Sequence, residues 1–345
     1  MFLVQDEIAN SVVGVLQIAL AGGPLRGDLG GTHNLDAYQL YLRAVAADQK
    51  NTTTSLRDAE ALLRKATALD PGFGLAWDLM ASVTANRADL SDLLPSEGYE
   101  RSRELARHAL DVSPGLLNAH STLGYVYRSY DWNWAASAEE YQRVLSADPT
   151  NVYALDGEAI LAMTLGQWDR ALRAERAALA GDPLQSFANY NLGTELYHSG
   201  RLSEADSQFR HLMDLFPTFE WARPALAKTL LAEGRPADAL AQMDLKSTSS
   251  SNLDYLSVVL WANHRSQESD AALAELISRY GKTDAFYVAQ AYAYRNDKER
   301  AFEWLDRAYS QKDSGLVEFL GEPVLKNLEG DPRYGEFLRK INLSD

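Results

Sequence analysis

Residues 192–217 read LGTELYHSGRLSEADSQFRHLMDLFP, and this stretch predicts two helices joined by a short turn. Its apolar residues recur every three or four positions, which is the spacing of one helix face. Gly200 falls between the two helical patterns, where glycine takes the left-handed conformation at little cost. Pro217 closes the second pattern because proline lacks the N–H that a continuing helix needs. The stretch therefore predicts a helical hairpin whose apolar face cannot be buried by the hairpin alone.

The same hairpin recurs with a fixed period. Pro149, Pro183 and Pro217 are 34 residues apart. Two further sets keep this register, namely Gly166, Gly200 and Gly234, and Ala171, Ala205 and Ala239. Weaker copies extend the pattern from residue 34 to residue 310, which gives about eight hairpins. A repeat of this length predicts a helical solenoid, in which each unit buries its apolar face against its neighbours.

Two places depart from the regular period. The interval from Pro71 to Pro114 is 43 residues, and the extra residues predict a long turn around Ala85–Tyr99, with Pro95 and Gly98 in the loop. The serine run Ser247–Ser251 predicts a flexible joint between a regular array and looser hairpins.

The residues that recur on the two helices are small or aromatic. The best examples are Trp77, Met80 and Ala81; Leu123, Gly124 and Tyr127; and Leu192, Gly193, Ala205, Phe209 and Pro217. This pattern resembles the tetratricopeptide repeat. The resemblance implies an all-α fold, a right-handed superhelical solenoid of about eight hairpins with a C-terminal cap. It implies little about function, because one fold hosts many functions.

A second resemblance concerns the edges of the array. Val4–Leu20 resembles the last helix of the TolB-like or FlgO-like domain that precedes such repeats in multidomain bacterial proteins. Asn34–Ala44, the turn Asp131–Trp134 and Gly330–Leu338 are similar to the repeat region of those proteins. They often carry an adenylate-cyclase or winged-helix DNA-binding domain in front. The resemblance implies the sensor or regulatory part of a bacterial signalling or transcription assembly, without its output domain.

These patterns predict four segments. Residues 1–33 form an amphipathic helix and linker, 34–246 the main array, 247–310 the looser hairpins, and 311–345 the cap. Acidic Asp6 and Glu7 stand where a signal peptide would carry positive charge, so we expect a cytoplasmic protein with no membrane partner. The apolar face of residues 1–20 has no sheet to cover it, so it must pack on the array or on another chain, and the second case predicts a homo-oligomer.

Composition excludes several classes of function. The chain has 33 Lys and Arg against 48 Asp and Glu, a formal charge of −15, which repels nucleic acid. It has no cysteine, and its six histidines show no metal-ligand spacing. No phosphate-binding loop, nucleophile elbow or dinucleotide fingerprint occurs. The sequence therefore predicts neither metal nor cofactor nor catalytic activity.

The concave groove of the solenoid is the predicted binding site. In a superhelix of this type the first helix of each hairpin lines the groove with its second, fifth, ninth, twelfth and thirteenth positions. These positions carry Asn118, Tyr125, Arg128, Tyr153, Asp156, Phe187, Tyr190, Thr194, Tyr197, His198, Trp221 and Lys228. Such aromatic surfaces bind proteins and peptides. Some of these rings can instead pack between helices or lie under the terminal segments. Only Lys228 and Asn191 suggest the carboxylate clamp of chaperone-binding members.

Two other functions remain open. Glu158 and Glu175 occupy positions that are apolar in neighbouring repeats, and two close carboxyl groups can act as an acid–base pair in a hydrolase. The alternative is a structural role, with pairing to Arg170, Arg173 or His120. The chain can also be a purely structural self-association module.

The helix crossing at Ala205 offers a test of the repeat assignment. Ala205→Leu should overpack the crossing and lower the free energy of unfolding by about 1–3 kcal/mol. Urea unfolding followed by far-UV circular dichroism measures the change. An unchanged unfolding midpoint would show that Ala205 does not lie at a close crossing.

Overall fold

The computed structural model describes residues 31–343, which form helices and turns without a β-strand. Seventeen α-helices follow one another along this part of the chain. In order they are α1 (Leu35–Asp48), α2 (Thr53–Leu69), α3 (Gly74–Asp89), α4 (Pro95–Val112), α5 (Leu117–Val126), α6 (Trp134–Ala147), α7 (Val152–Thr164), α8 (Trp168–Gly181), α9 (Ser186–His198), α10 (Leu202–Leu215), α11 (Ala222–Ala232), α12 (Pro236–Gln242), α13 (Ser250–Ala262), α14 (Ser266–Tyr280), α15 (Ala285–Tyr294), α16 (Lys298–Gln311) and α17 (Pro332–Lys340).

The helices α1 to α16 form eight antiparallel hairpins, which stack into a right-handed solenoid. The all-α fold and the number of hairpins predicted from the repeat are confirmed. Gly166, Gly200 and Gly234 have φ angles of 68°, 77° and 76°, the left-handed conformation expected where the first helix of a hairpin ends. A second helix ends just before each of Pro149, Pro183 and Pro217. The repeated residues therefore set where the helices end.

Close packing within and between hairpins depends on glycine opposite an aromatic ring. The ring of Tyr141 on α6 packs against Gly124 on α5 and Gly157 on α7, and Phe209 on α10 packs against Gly193 on α9. A Cβ atom at Gly157 would lie 2.4 Å from the Tyr141 ring. Any side chain at this position must therefore displace the ring.

The long turn predicted around Ala85–Tyr99 is wrong. Ala85 lies inside α3, Pro95 is the first residue of α4, and Gly98 lies within α4. Proline is well accommodated at a first helical position because its missing N–H has no partner there. Gly98 allows the two helices to approach, since a Cβ atom there would lie 2.6 Å from the Cβ of Ala88. Most of the additional residues lengthen the two helices, and the turn between them is residues 90–94.

The other irregular segments are ordered turns. The Asp131–Trp134 turn follows one turn of π-helix, Tyr127–Asp131, with Trp132 in the left-handed conformation. The serine run leads directly into α13, and the side-chain hydroxyls of Ser247 and Ser249 lie 3.0 Å apart. The hairpins on both sides pack against each other, so the solenoid continues through this segment.

The superhelix completes one turn, and its last hairpin lies against the second and third. The Ser91 hydroxyl donates a hydrogen bond to Asp284, which precedes α15, at 2.6 Å. The ring of Trp132 stacks on Tyr309 of α16 at a centroid distance of 5.3 Å. The indole N–H of Trp134 donates to the carbonyl oxygen of Asn342 at 2.8 Å. These contacts join residues far apart in the sequence and close the groove into a channel.

The C-terminal segment, residues 313–343, contains two short 3-10 helices, Ser314–Glu318 and Pro323–Leu328, followed by α17. Glu322 and Asp331 cap the elements that begin at the two prolines. The first part of the segment lies inside the superhelix. A Cβ atom at Gly321 would lie 2.7 Å from the carbonyl oxygen of His198 and 2.7 Å from the Trp168 ring. The segment therefore covers the inner helices as well as the last hairpin.

The predictions for residues 1–30 lie outside the described residues, including the N-terminal helix and its self-association. The division into four segments stays a prediction. Among the helices of residues 31–343, none is long and apolar enough to cross a membrane.

Substitution at Gly157 tests the glycine–ring contact. Gly157→Ala should lower the free energy of unfolding by about 1–3 kcal/mol, because the new methyl group overlaps the Tyr141 ring. Helix propensity alone would act in the opposite direction, by about 1 kcal/mol. Chemical denaturation provides the measurement.

Gly115→Ala is the matched control, since a Cβ atom at Gly115 meets no atom within 4 Å. Equal stabilities of the two variants would contradict the contact.

Candidate ligand channel

The inner helices of the hairpins enclose a channel of about 1790 Å³. Pockets for small molecules are usually about 300–1,000 Å³, so the channel has room for a larger ligand such as an extended peptide. Its lining runs from Tyr41 on α1 to Glu318 in the C-terminal segment. The channel is therefore built by the whole turn of the superhelix rather than by one hairpin.

The predicted groove residues divide into two groups. Nine line the channel, namely Asn118, Tyr125, Arg128, Tyr153, Asp156, Phe187, Tyr190, Thr194 and Trp221. The other three, Tyr197, His198 and Lys228, are buried beneath the C-terminal segment. The helical periodicity brings all twelve to the inner side of the solenoid. It does not reveal which of them the end of the chain covers.

Aromatic rings cluster along one part of the channel. Phe187, Tyr190 and Trp221 lie close together, and the Trp221 ring centroid is 5.8 Å from that of Phe187 and 5.6 Å from that of Tyr190. Phe219, which precedes α11, contacts all three. Tyr153 on α7 is the most open ring, with 60% of its surface exposed. Flat apolar rings with polar edges suit contacts with an extended chain.

Lys228 is the centre of a buried ionic cluster. Its Nζ atom lies 3.1 Å from Glu322 and 3.5 Å from Glu318, both in the C-terminal segment. The same atom lies over the rings of Tyr197 and Tyr255, 4.5 and 4.9 Å from their centroids. Tyr197 donates a hydrogen bond of 2.7 Å to Glu322. Lys228 therefore holds the C-terminal segment against α9, α11 and α13.

The opposite charges of this cluster stabilise the ionised forms of Lys228 and Glu318. Burial opposes the charged form of Lys228, but Glu322 and Glu318 outweigh it and hold the pKa of Lys228 well above its ordinary value. Burial would likewise raise the pKa of Glu318, but Lys228 and His198 lower it to about 2. His198, Glu318 and Glu322 have ligand atoms close enough to share a metal ion. The Lys228 ammonium already pairs with both carboxylates, so the cluster serves as an ion-pair network.

The channel lining is acidic. Twelve acidic residues contribute, namely Asp48, Asp58, Asp78, Asp89, Asp156, Asp182, Glu195, Glu220, Asp254, Asp284, Asp313 and Glu318. The four basic residues of the lining are Arg43, Lys50, Lys65 and Arg128. Burial raises the pKa of several of these carboxyl groups, to about 7 for Asp78 and, with Asp284 contributing, to about 8 for Asp313. The interior therefore has a strong excess of groups that bind cations.

Glu158 and Glu175, the two carboxyl groups suggested for a hydrolase, have different partners. Glu158 forms an ion pair with Arg170, whose Nε atom is 2.8 Å from Glu158 Oε1. Glu175 is completely buried. Burial, Asp156 and Glu195 raise the pKa of Glu175 well above its ordinary value. The structure thus groups Glu175 with Asp156 and Glu195 and leaves Glu158 paired with an arginine, as the structural alternative allowed.

The two residues that suggested a carboxylate clamp are both engaged. Asn191 donates a hydrogen bond to Asp156 at 2.8 Å, and Lys228 is paired within the buried cluster. Arg128 is also buried, with its guanidinium 5.2 Å from the centroid of the Tyr125 ring. The main cations of the inner helices therefore have partners within the chain.

Of the acidic channel residues, the sequence analysis named only Asp156, although a signal was present for two more. Asp78 and Asp254 are the fifth residues of α3 and α13, just as Asp156 is the fifth residue of α7. The rule that placed Asp156 in the groove would have found both if it had been applied to the outer hairpins.

Comparisons with known proteins support the fold. No family model matches the chain. It is 26% identical over 285 residues to cellulose synthase operon protein C of Pseudomonas fluorescens (strain SBW25), covering 78% of this chain. The chain spans 22% of the length of that protein.

Two solved structures are also similar to the chain. The human IFIT1 dimer with m7Gppp-AAAA has a TM-score of 0.57 at 14% identity, and the match covers 88% of this chain and 77% of that one. A tetratricopeptide repeat protein from Parabacteroides merdae has a TM-score of 0.41 at 14% identity, covering 85% and 99%. The likeness to the human structure shows the fold alone, a solenoid of helical hairpins, and the repeated residues of the sequence resemble the tetratricopeptide pattern. The more specific resemblance to repeats that follow a TolB-like or FlgO-like domain stays a prediction.

Removal of Lys228 tests the role of the buried cluster. Lys228→Met leaves Glu318 and Glu322 buried without their cation, and we expect the free energy of unfolding to fall by about 3–5 kcal/mol. The double variant Lys228→Met/Glu322→Gln should recover part of this loss because one buried charge is removed. Thermal and urea unfolding measure both changes. A loss below about 1 kcal/mol in the single variant would contradict the role given to Lys228.

The raised pKa of Asp78 predicts a pH dependence. The folded state holds the Asp78 proton up to about pH 7, whereas an unfolded Asp loses it near pH 4. The contribution of the Asp78 carboxyl group to the free energy of unfolding is therefore lost as pH rises from about 4 to about 7. Asp78→Asn should gain stability relative to wild type over this range, by on the order of a few kcal/mol.

The matched control for Asp78→Asn is Asp214→Asn, at an exposed position outside the channel. Denaturant unfolding at a series of pH values measures both. Parallel pH profiles of the Asp78 variant and wild type would show that Asp78 is ionised in the folded protein.

Proposed function

We propose that this chain is a binding scaffold that holds an extended segment of a partner protein in its channel. The single observation that carries the proposal is the grouping of nine predicted groove residues in one channel of about 1790 Å³. The exposed ring of Tyr153 and the cluster formed by Phe187, Tyr190 and Trp221 supply contact area. Aromatic side chains of this kind dominate binding energy at protein interfaces.

The chemistry of the channel favours a peptide over a nucleic acid. The human structure similar to this chain contains m7Gppp-AAAA, a phosphate-bearing ligand. In the present chain the lining has twelve acidic and four basic residues, and an acidic surface repels phosphate. A protein or peptide partner therefore suits this channel better.

The proposed setting is a bacterial signalling or transcription assembly, in which the chain is the sensor or regulatory part. Its support is the likeness of Asn34–Ala44 and Gly330–Leu338 to repeats that follow TolB-like or FlgO-like domains. The similarity to a protein of Pseudomonas fluorescens supports a bacterial setting. A cytoplasmic location, the absence of nucleic-acid and membrane partners and self-association through residues 1–20 stay predictions.

The hydrolase alternative has less support than binding. It needs two neighbouring carboxyl groups that can exchange protons with a substrate, but Glu158 is paired with Arg170 and Glu175 is completely buried. We therefore propose no catalytic activity.

A pull-down from native lysate tests the binding proposal. The variant Tyr153→Ala/Phe187→Ala/Trp221→Ala should lose a protein that wild type recovers, and mass spectrometry identifies it. Each important aromatic contact should contribute about 2 kcal/mol or more. Tyr197 is left unchanged because it holds Glu322 within the buried cluster.

Trp261→Ala is the matched control, since this ring is 37% exposed and lies outside the channel lining. The control should recover the same proteins as wild type. Identical recoveries from the channel variant and wild type would contradict binding through these rings.

A further inference from the structure

Asp254 is a buried carboxyl group that lines the channel without a hydrogen bond to one of its oxygens. Its side chain lies on α13 and is 6% exposed. The Oδ1 atom has no hydrogen-bond partner within residues 31–343. Burial of a polar group without a partner costs free energy, and native structures keep few such groups. Because Asp254 lines the channel, this oxygen is placed to accept a hydrogen bond from a ligand there.

Two further carboxyl groups of the channel lining, those of Asp284 and Asp313, act electrostatically on Asp254. Asp284 precedes α15 and accepts a hydrogen bond from Ser91 at 2.6 Å. Asp313 accepts hydrogen bonds from the backbone N–H groups of Phe286, at 2.8 Å, and Gly315, at 2.9 Å. These hydrogen bonds fix the two carboxyl groups in place. Three acidic side chains of one channel thus come from α13, from the start of α15 and from the C-terminal segment.

No lysine or arginine in the described part of the chain forms an ion pair with these three residues. The nearest buried ammonium, that of Lys228, is held by Glu318 and Glu322. Burial is the largest cause of the raised pKa of Asp254, and Asp284, Asp313 and Glu318 add to it while Lys228 opposes it. Without a ligand, these carboxyl groups hold protons more readily than an exposed aspartate does, because their pKa values are raised. A cation in the channel would allow them to ionise.

Tyrosine rings complete this wall of the channel. Tyr255 follows Asp254 on α13, and Tyr287 lies on α15, with the two ring centroids 5.5 Å apart. Both line the channel. The faces of aromatic rings attract cations, most strongly where water is excluded. Lys228 shows that this chain already stabilises an ammonium in such surroundings, since its Nζ atom lies between tyrosine rings and carboxylates.

We propose that Asp254, Asp284 and Asp313, with the rings of Tyr255 and Tyr287, bind a lysine or arginine side chain of a peptide that lies extended in the channel. We call these five residues the Asp254 wall. This assignment rests on the proposed function and makes it more specific, because it names the chemistry of the segment that the scaffold recognises. The acidic excess of the whole lining attracts the same class of ligand.

The test uses the full chain and a phage-displayed library of random dodecapeptides. The immobilised wild-type chain selects peptides, and sequencing compares them with the unselected library. We expect the selected peptides to be enriched in lysine or arginine. The best peptide is then labelled with fluorescein, and its affinity is measured by fluorescence anisotropy.

Asp254→Asn is the decisive variant because it keeps the size of the side chain and removes its ability to ionise. It should bind the selected peptide about tenfold or more weakly than wild type. The exposed Asp214→Asn variant removes the same charge outside the channel and should bind as wild type does.

Replacing the basic residue of the peptide by glutamine should weaken the binding of the peptide to wild type and have little effect on its binding to Asp254→Asn. Thermal unfolding checks that both variants are folded, and Asp284→Asn provides a second variant of the wall.

The outcomes separate the two proposals. Selected peptides without basic residues, bound equally by wild type and by Asp254→Asn, would overturn the assignment to the Asp254 wall while leaving peptide binding intact. With such peptides, the variant Tyr153→Ala/Phe187→Ala/Trp221→Ala should still lose binding. That result would show that the aromatic rings of the channel bind peptides without help from the Asp254 wall. Failure of wild type to enrich any peptide above that variant would overturn both proposals. Enrichment of acidic peptides would also overturn the assignment.

Discussion

Each hairpin of this chain has an apolar face that only a neighbouring hairpin can cover, and the whole architecture follows from that constraint. The Tyr141 ring shows how the faces fit, because it fills the space left by Gly124 on its own hairpin and by Gly157 on the next. Stacking continues until the superhelix has completed one turn. The last hairpin then meets the second and third, and the contacts of Trp132 and Trp134 join the two ends.

Closure of the superhelix changes what its inner surface can do. An open groove would leave the inner residues in water, where charges are screened and carboxyl groups keep their ordinary pKa values. Here the inner side is enclosed, and burial raises the pKa of several carboxyl groups. The C-terminal segment adds Asp313, Glu318 and Glu322 to the same interior. The electrostatics of the channel are therefore a property of the closed assembly rather than of any one repeat.

Lys228 and Asp254 illustrate two ways in which the chain treats a buried charge. Lys228 is paired with two carboxylates and two tyrosine rings, so its charge is stabilised within the protein. Asp254 lies near the same C-terminal segment but has no cationic partner within bonding distance in residues 31–343. The first arrangement holds the fold together. The arrangement at Asp254 points to a ligand, and the rings of Tyr255 and Tyr287 favour a ligand that is a cation.

The sequence by itself determined the hairpins, their number and their inner faces, because these depend on local spacing. Gly200 and Pro217 mark helix ends through their own backbone chemistry, and the position of Asp156 in its helix places it toward the groove. Only the tertiary structure decided that Glu322 meets Lys228 and that Asp284 and Asp313 line the same channel as Asp254 and act on its pKa. Those partners come from distant hairpins and from the end of the chain, and local periodicity carries no information about contacts of such long sequence separation. For the same reason, the sequence placed Tyr197 in the groove but could not show that the C-terminal segment covers it.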